Sequence, residues 1–161
     1  MSGLAERAGV SKETLYRWWR SRAEVLLEAL AQYGEEAIPV PDTGSLAGDL
    51  HGFMRATAAA LDPPTRRTLR TLAAAAAAEP TAADQIRRQF LARRRAALGT
   101  VLGRAVERGE LPDQGVAATL QDLVFGSLRY RLIFGVGPLD DAWADAITGA
   151  ITLCNELRGM D

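Results

Sequence analysis

The sequence contains a single histidine, His51, a single cysteine, Cys154, and a single lysine, Lys12. One cysteine excludes an intramolecular disulfide bond and fits a reducing cytoplasm. His51 and Cys154 lie on different predicted helices, and the sequence has no metal-ligand spacing, phosphate-binding glycine loop or nucleophile elbow. These absences argue against an enzyme, a metal site and a bound cofactor, because each needs a converging set of reactive groups.

Two longer patterns are also missing. No apolar run reaches the roughly 18 residues that a membrane-spanning helix needs, and we expect neither a signal peptide nor a membrane partner. Sustained alternation of apolar and polar residues, which marks strands, does not occur either. We therefore expect an all-α protein of the cytoplasm.

The length and composition of the chain are those of a globular protein of one or two domains. The 161 residues are 48% hydrophobic and 24% charged, with a net charge of −1. The charge is unevenly placed, since four cations stand against one acid between Val10 and Arg22. A local basic patch of this kind is enough to attract DNA, because counterion release depends on the contacts made and not on the global charge.

The same part of the chain has the pattern of a helix-turn-helix. Gly9 stands where a helix end favours a residue with positive φ, and Ser11 is a good N-cap for the helix that follows. Leu15 and Trp19 are four residues apart and can hold that helix against its neighbour. Its cations and other aromatic residues then point largely elsewhere, which is typical of a helix that reads DNA.

This stretch resembles the TetR family of bacterial transcriptional regulators. The matching residues are Ala5-Glu6-Arg7-Ala8-Gly9-Val10-Ser11-Lys12, Thr14-Leu15-Tyr16, Trp19 and Ser21-Arg22. The family pattern has Phe in place of Trp19 and Lys in place of Arg22, and both replacements keep the chemistry. The family's DNA-binding head has three helices, of which the first lies upstream of the motif. We therefore expect residues 1–33 to form a partial head.

The resemblance implies binding to double-stranded operator DNA. The residues that we expect to contact DNA are Lys12, Thr14, Tyr16, Arg17, Trp18 and Arg22. Lys12, Tyr16 and Arg22 suit phosphate contacts, whereas the other three can reach base edges.

The rest of the chain is predicted to be a linker and a helical domain. Residues 34–44 are rich in turn formers, and residues 45–161 have apolar residues at helical spacing. We expect five helices there, ending near residues 61, 78, 108, 134 and 157. Asp42 or Thr43, then Thr81 and Asp113, are the expected N-caps.

Family members usually bind a small-molecule effector among such helices, so the resemblance implies a ligand cavity. Its predicted borders are His51, Phe53, Met54, Phe90, Arg94 and Phe125. Two interpretations remain open: His51 can instead be a solvated surface residue, and the apolar residues can simply be core. The basic run of Arg87, Arg88 and residues 93–95 suits a solvated face or an RNA or acidic-partner surface, with Arg94 able to point inward.

The last two helices have apolar faces too broad for one helix pair to bury, together with small residues that permit close approach. A second copy can cover them in a four-helix bundle, and these helices also resemble the family's dimerisation pair. The expected homodimer interface is formed by Leu120, Leu123, Val124, Gly126, Leu128, Ile147, Ala150 and Ile151.

These observations together predict a TetR-like regulator, a repressor that an unknown effector releases from DNA. The alternative, from another class, is a dimeric helical ligand-binding protein whose truncated head no longer binds DNA.

Overall fold

The computed structural model describes residues 22–158, and these contain only helices and their connections. The helices are α1 (Arg22–Ala37), α2 (Leu46–Ala60), α3 (Pro63–Ala78), α4 (Pro80–Ile86), a π-helical turn (Arg87–Leu91), α5 (Ala92–Glu107), α6 (Gln114–Phe134) and α7 (Asp141–Arg158). The prediction of an all-α fold is confirmed. Within this part of the chain, no helix combines the length and apolar character that crossing a membrane requires.

Local hydrogen bonds set where these helices begin. Asp113 caps α6 by accepting from the Val116 amide at 2.8 Å, as its position predicts. The predicted caps of α2 and α4 are wrong, however. The N-cap of α2 is Ser45, and α4 begins with Pro80 and has no side-chain cap. Thr43 lies two residues before this cap, and its hydroxyl donates to Asp49 Oδ1 at 2.8 Å.

Two predicted boundaries also need correction. Helix α1 continues through Gly34 to Ala37, so the first residues of the predicted linker are helical and the connection to α2 is residues 38–45. Helix α3 begins at Pro63, several residues earlier than expected. Asp62 caps it, and proline is tolerated in the first turn, where the missing N–H has no intrahelical partner.

The segment from Pro80 to Glu107 is not one regular helix. Residues Arg87–Leu91 form a π-helical turn between α4 and α5. A π-turn adds one residue to an α-helix and is found frequently at functional sites. It changes which side chains face the interior on either side of it.

The main core lies around α2, which packs against α7 and α5, while α6 packs against α5 and α3. Its largest fully buried side chains include Leu50, Phe53, Met54 and Leu98. Trp143 of α7 is also buried, and its indole Nε1 donates to Ser127 Oγ of α6 at 3.0 Å. A smaller apolar cluster of Leu27, Leu72 and Ile86 joins α1, α3 and α4.

A buried carboxylate secures the start of α2. Asp49 is fully buried, and its Oδ1 accepts from the Thr43 amide at 2.5 Å, while its Oδ2 accepts from Arg108 Nη2 at 3.2 Å. Arg108 also pairs with Glu110, whose Oε2 accepts from the Leu46 amide at 2.5 Å. Burial raises the pKa of Asp49, but the hydrogen bonds from Thr43 and Arg108 outweigh it, so this pKa is lowered.

Candidate effector site and dimer face

A cavity of about 650 Å³ lies between the helices of the body. Most of its lining is apolar and comes from α1 to α6. Its large apolar residues include Leu30, Phe53, Leu69, Leu72, Phe90 and Phe125. The alanines of α3 and α4, such as Ala73, Ala76 and Ala83, leave the space that larger side chains would fill. A volume of this size and an apolar wall are typical of sites for small organic ligands.

The structure places four of the six predicted border residues at this cavity: Phe53, Phe90, Arg94 and Phe125. The other two, His51 and Met54, do not line it. His51 lies on the outer surface of α2, with Nδ1 3.6 Å from Asp145 Oδ1 of α7. Met54 is fully buried in the main core and does not line the cavity. Sequence spacing indicates which residues share a helix face, but not which neighbour that face meets.

Arg94 is the charged residue of the cavity wall that is buried. Its side chain is only 6% exposed, and its Nη1 donates to the carbonyl oxygen of Gly34 in α1 at 2.9 Å. Its Cζ lies 5.3 Å from the centroid of the Phe53 ring, a cation–π distance. A Cβ on Gly34 would lie 3.2 Å from Arg94 Cδ, so the glycine makes room for the arginine.

The second terminal nitrogen of Arg94 has no hydrogen-bond partner. Nη2 is buried and unpaired, and no carboxylate among residues 22–158 forms an ion pair with this guanidinium. Burial lowers the pKa of Arg94, and the charge of Glu35 acts in the opposite direction. The group still carries its charge, because arginine is not deprotonated in proteins. A buried, partly unsatisfied cation therefore borders an apolar cavity.

The rest of the basic run is paired on the protein surface. Arg93 contacts Glu28 at 3.0 Å and Glu35 at 3.7 Å, so it holds the outer side of α1. Arg95 pairs with Asp122 at 2.7 Å. Arg87 and Arg88 both pair with Asp84. These internal pairs support a solvated face, as one of the two interpretations predicts, with Arg94 as the inward exception.

Helix α6 presents an exposed apolar face. Leu123 is 59% exposed and Phe134 is 70% exposed, with Tyr130 between them on the same side of the helix. The rings of Tyr130 and Phe134 are 5.6 Å apart. On α7, Leu153 is likewise exposed beside the small residue Ala150. Contiguous apolar surface of this kind marks an interaction site.

The predicted interface residues fall into three groups. Leu123, Gly126 and Ala150 are exposed, and Leu120, Leu128 and Ile147 are half-buried. Val124 and Ile151 are buried in the core of the protomer, so they present almost no surface to a partner. Tyr130, Phe134 and Leu153 are exposed on the same two helices and were not among the predicted residues. The spacing of Tyr130 and Phe134 from Leu123, seven and eleven residues, was the available signal.

The predicted DNA-contact residues Lys12, Thr14, Tyr16, Arg17 and Trp18 lie outside the described residues. Arg22 is the first residue of α1, and its side chain is likewise not described.

Comparison with known proteins gives the same picture for both parts of the chain. Residues 40–151 match the model for the Tetracyclin repressor-like, C-terminal domain, and residues 1–29 match that for bacterial regulatory proteins of the tetR family. The DNA-binding transcriptional repressor TetR of Mycobacteroides abscessus is 34% identical over 95% of this chain and 80% of its own length. The HTH-type transcriptional regulator YdeS of Bacillus subtilis is 29% identical over 87% of this chain and 71% of its own length.

A solved structure agrees with these matches. The crystal structure of the TetR family transcription regulator SCO0332 has a TM-score of 0.85 and 31% sequence identity, covering 94% of this chain and 84% of that one. The fold and the matched segments define a two-part transcriptional regulator, with a helix-turn-helix head and a helical body. The chain belongs to the TetR family of bacterial transcriptional regulators, as the pattern of its first 22 residues predicts.

Proposed function

We propose that this regulator is a repressor that binds a two-fold operator as a homodimer and leaves it when a small molecule enters the cavity. The observation that carries the proposal is the cavity itself, whose wall includes Leu30, Tyr33 and Gly34 of α1. Helix α1 begins at Arg22, inside the segment that matches the tetR-family DNA-binding model. A ligand that displaces α1 therefore acts on the part of the chain next to the DNA.

The homodimer is supported by the exposed face of α6 and α7. Leu123, Tyr130 and Phe134 have no partner within the described protomer that would bury them. A copy of the same surface, placed across a two-fold axis, would bury all three on both sides at once. Two heads related by that axis match an operator with two half-sites.

The repressor role is supported by the name of the Mycobacteroides abscessus relative, a DNA-binding transcriptional repressor. We propose that Lys12, Tyr16 and Arg22 contact phosphates and that Thr14, Arg17 and Trp18 reach base edges, because cations and hydroxyl groups in a recognition helix make those contacts. Release requires only that the ligand bind the DNA-free arrangement more tightly than the DNA-bound one.

The test is binding of the purified protein to the DNA upstream of its own gene, measured by fluorescence anisotropy at several salt concentrations. We expect specific binding that weakens steeply as salt rises, since phosphate contacts release counterions. An absence of salt-dependent binding would favour the dimeric ligand-binding protein whose head does not read DNA.

A further inference from the structure

The unpaired nitrogen of Arg94 needs an acceptor. A guanidinium has five N–H donors in a planar fork, and Arg94 commits Nη1 to the Gly34 carbonyl, while Nη2 has no partner. Leaving a charged donor buried without a hydrogen bond is unfavourable, and buried groups of this kind are rare in folded proteins. Arg94 lines the cavity, so a ligand acceptor that approaches its guanidinium and bonds to Nη2 would satisfy it.

Arg94 also forms no ion pair with any acidic residue that the structure describes. The acidic residues on the neighbouring elements are already held: Glu28 and Glu35 by Arg93, and Asp122 by Arg95. Four arginines and only one acidic residue line the cavity: Arg87, Arg94, Arg95 and Arg129, with Asp122. The site is therefore electropositive and selects against a cationic ligand.

The rest of the cavity wall determines which chemical groups the body of the ligand can carry. Phe90, Phe125 and leucines of α1, α3 and α6 line the cavity. The guanidinium of Arg94 lies over the ring of Phe53. Such a surface favours alkyl or aromatic groups over sugars or nucleotides, because those would leave many polar groups unpaired.

From these contacts we infer that the effector is an organic monoanion: an apolar body carrying one carboxylate, which accepts from Arg94 Nη2. A carboxylate fits because it supplies both the missing acceptor and the missing negative charge, and charge-assisted hydrogen bonds are the stronger ones. The inference rests on the proposed function for its regulatory meaning. The binding chemistry stands on the cavity alone.

The guanidinium of Arg94 would then connect the ligand to α1. Nη1 and Nη2 are attached to the same carbon, so a carboxylate at Nη2 acts on the group that already holds the Gly34 carbonyl. This gives the anion a direct route to the helix that leads to the head.

The experiment compares ligands that share a body and differ only in the head group. Octanoate, decanoate, dodecanoate and 2-naphthoate are titrated against the whole protein by calorimetry at neutral pH, beside their primary amides. We expect at least one carboxylate to bind about tenfold or more tighter than its amide. Equal binding of each acid and its amide, or binding by none of the four acids, would overturn the inference.

Variants then assign the preference to one residue. Arg94→Met keeps a long apolar side chain, and we expect it to lose the preference so that the amide binds as well as the acid. Arg88→Met is the matched control, because Arg88 belongs to the same basic run but is exposed, is paired with Asp84 and does not line the cavity. It should keep the preference. If both variants keep it, the anion does not bind at Arg94 and the inference fails; if Arg94→Met does not fold, the comparison of acids and amides on the unaltered protein decides alone.

Ligand-free DNA binding separates this inference from the proposed function. If the protein binds DNA but no carboxylate, it is still a regulator and the inference of an anionic effector is refuted. If it binds a carboxylate but no DNA, the inference of an anionic effector is supported and the proposed repressor function is refuted.

Discussion

Arg94 and Ile38 donate to the same acceptor, the carbonyl oxygen of Gly34. Arg94 Nη1 approaches it at 2.9 Å and the Ile38 amide at 3.1 Å. The carbonyl therefore stays hydrogen-bonded when the arginine is removed. Arg94, by contrast, has a charge that the folded protein leaves partly unsatisfied, so its presence costs stability.

We expect Arg94→Met to leave the free energy of unfolding unchanged or to raise it by about 1 kcal/mol, because apolar replacement of a poorly compensated buried charge is often neutral or stabilising. Urea denaturation of the ligand-free protein measures this. Arg66→Met is the matched control, since Arg66 donates to the carbonyls of Leu61 at 2.5 Å and Leu139 at 2.7 Å. That variant should lose about 1–3 kcal/mol. A comparable loss in Arg94→Met would mean that Arg94 is retained for stability.

The dimer face gives a second prediction. Leu123→Glu places a charge on a residue that is already exposed in the protomer, so it should leave the protomer folded and weaken only the dimer. Gly126→Leu should act similarly, because a Cβ there meets nothing within 4 Å in the protomer. Light scattering across micromolar concentrations should show the mass of a dimer for the unaltered protein, since we expect an interface near or above the standard size of about 1,600 Å².

Val40→Glu serves as the control for this charge, since Val40 is exposed and apolar but lies in the connection between α1 and α2. It should stay dimeric. A monomeric unaltered protein, or a Leu123→Glu variant as dimeric as the control, would place the interface elsewhere.

The buried carboxylate at the start of α2 predicts an acid-sensitive step in stability. The folded-state pKa of Asp49 is lowered, so its contribution is complete above the unfolded pKa of about 3.9 and is lost as pH falls through the folded value. Asp49→Asn should remove this part of the pH dependence and cost about 2 kcal/mol near neutral pH, because its interactions with Thr43 and Arg108 are weakened. Denaturant titrations of both proteins between neutral and strongly acidic pH measure the difference, and parallel pH profiles would contradict it.

The DNA prediction separates two kinds of contact. Lys12→Ala removes a proposed phosphate contact from each of the two heads, so it should weaken binding to all sequences alike and reduce the salt slope by about 1.8. Arg17→Ala removes a proposed guanine contact from each half-site, so it should cost about 1–3 kcal/mol per half-site and relax the preference at one base pair in each. Anisotropy titrations with the upstream DNA and with single-base variants distinguish them. Equal losses of specificity in the two variants would refute this division of roles.

Much of the fold could be predicted because it is encoded locally. Asp113 caps a helix through a residue three positions away, and Gly109 and Gly135 end helices where φ must be positive. The positions of His51 and Val124 in the fold could not be predicted in this way, because they depend on which helix packs beside each residue. Arg94 was separable from its basic neighbours by its spacing from Phe90, but its contact with Gly34 joins residues 60 positions apart. No local pattern marks such a pair.

The π-helical turn at Arg87–Leu91 has a consequence for chain length. Because it holds one residue more than an α-helix would, loss of a single residue there would restore a regular helix, while α4 and α5 kept their present partners. Elsewhere in a helix, a one-residue deletion turns everything beyond it by about 100° and misplaces the core. At this turn the protein can therefore lose a residue and remodel the cavity wall that carries Phe90 without unfolding. It offers a site at which relatives of different length can acquire differently shaped cavities on the same scaffold.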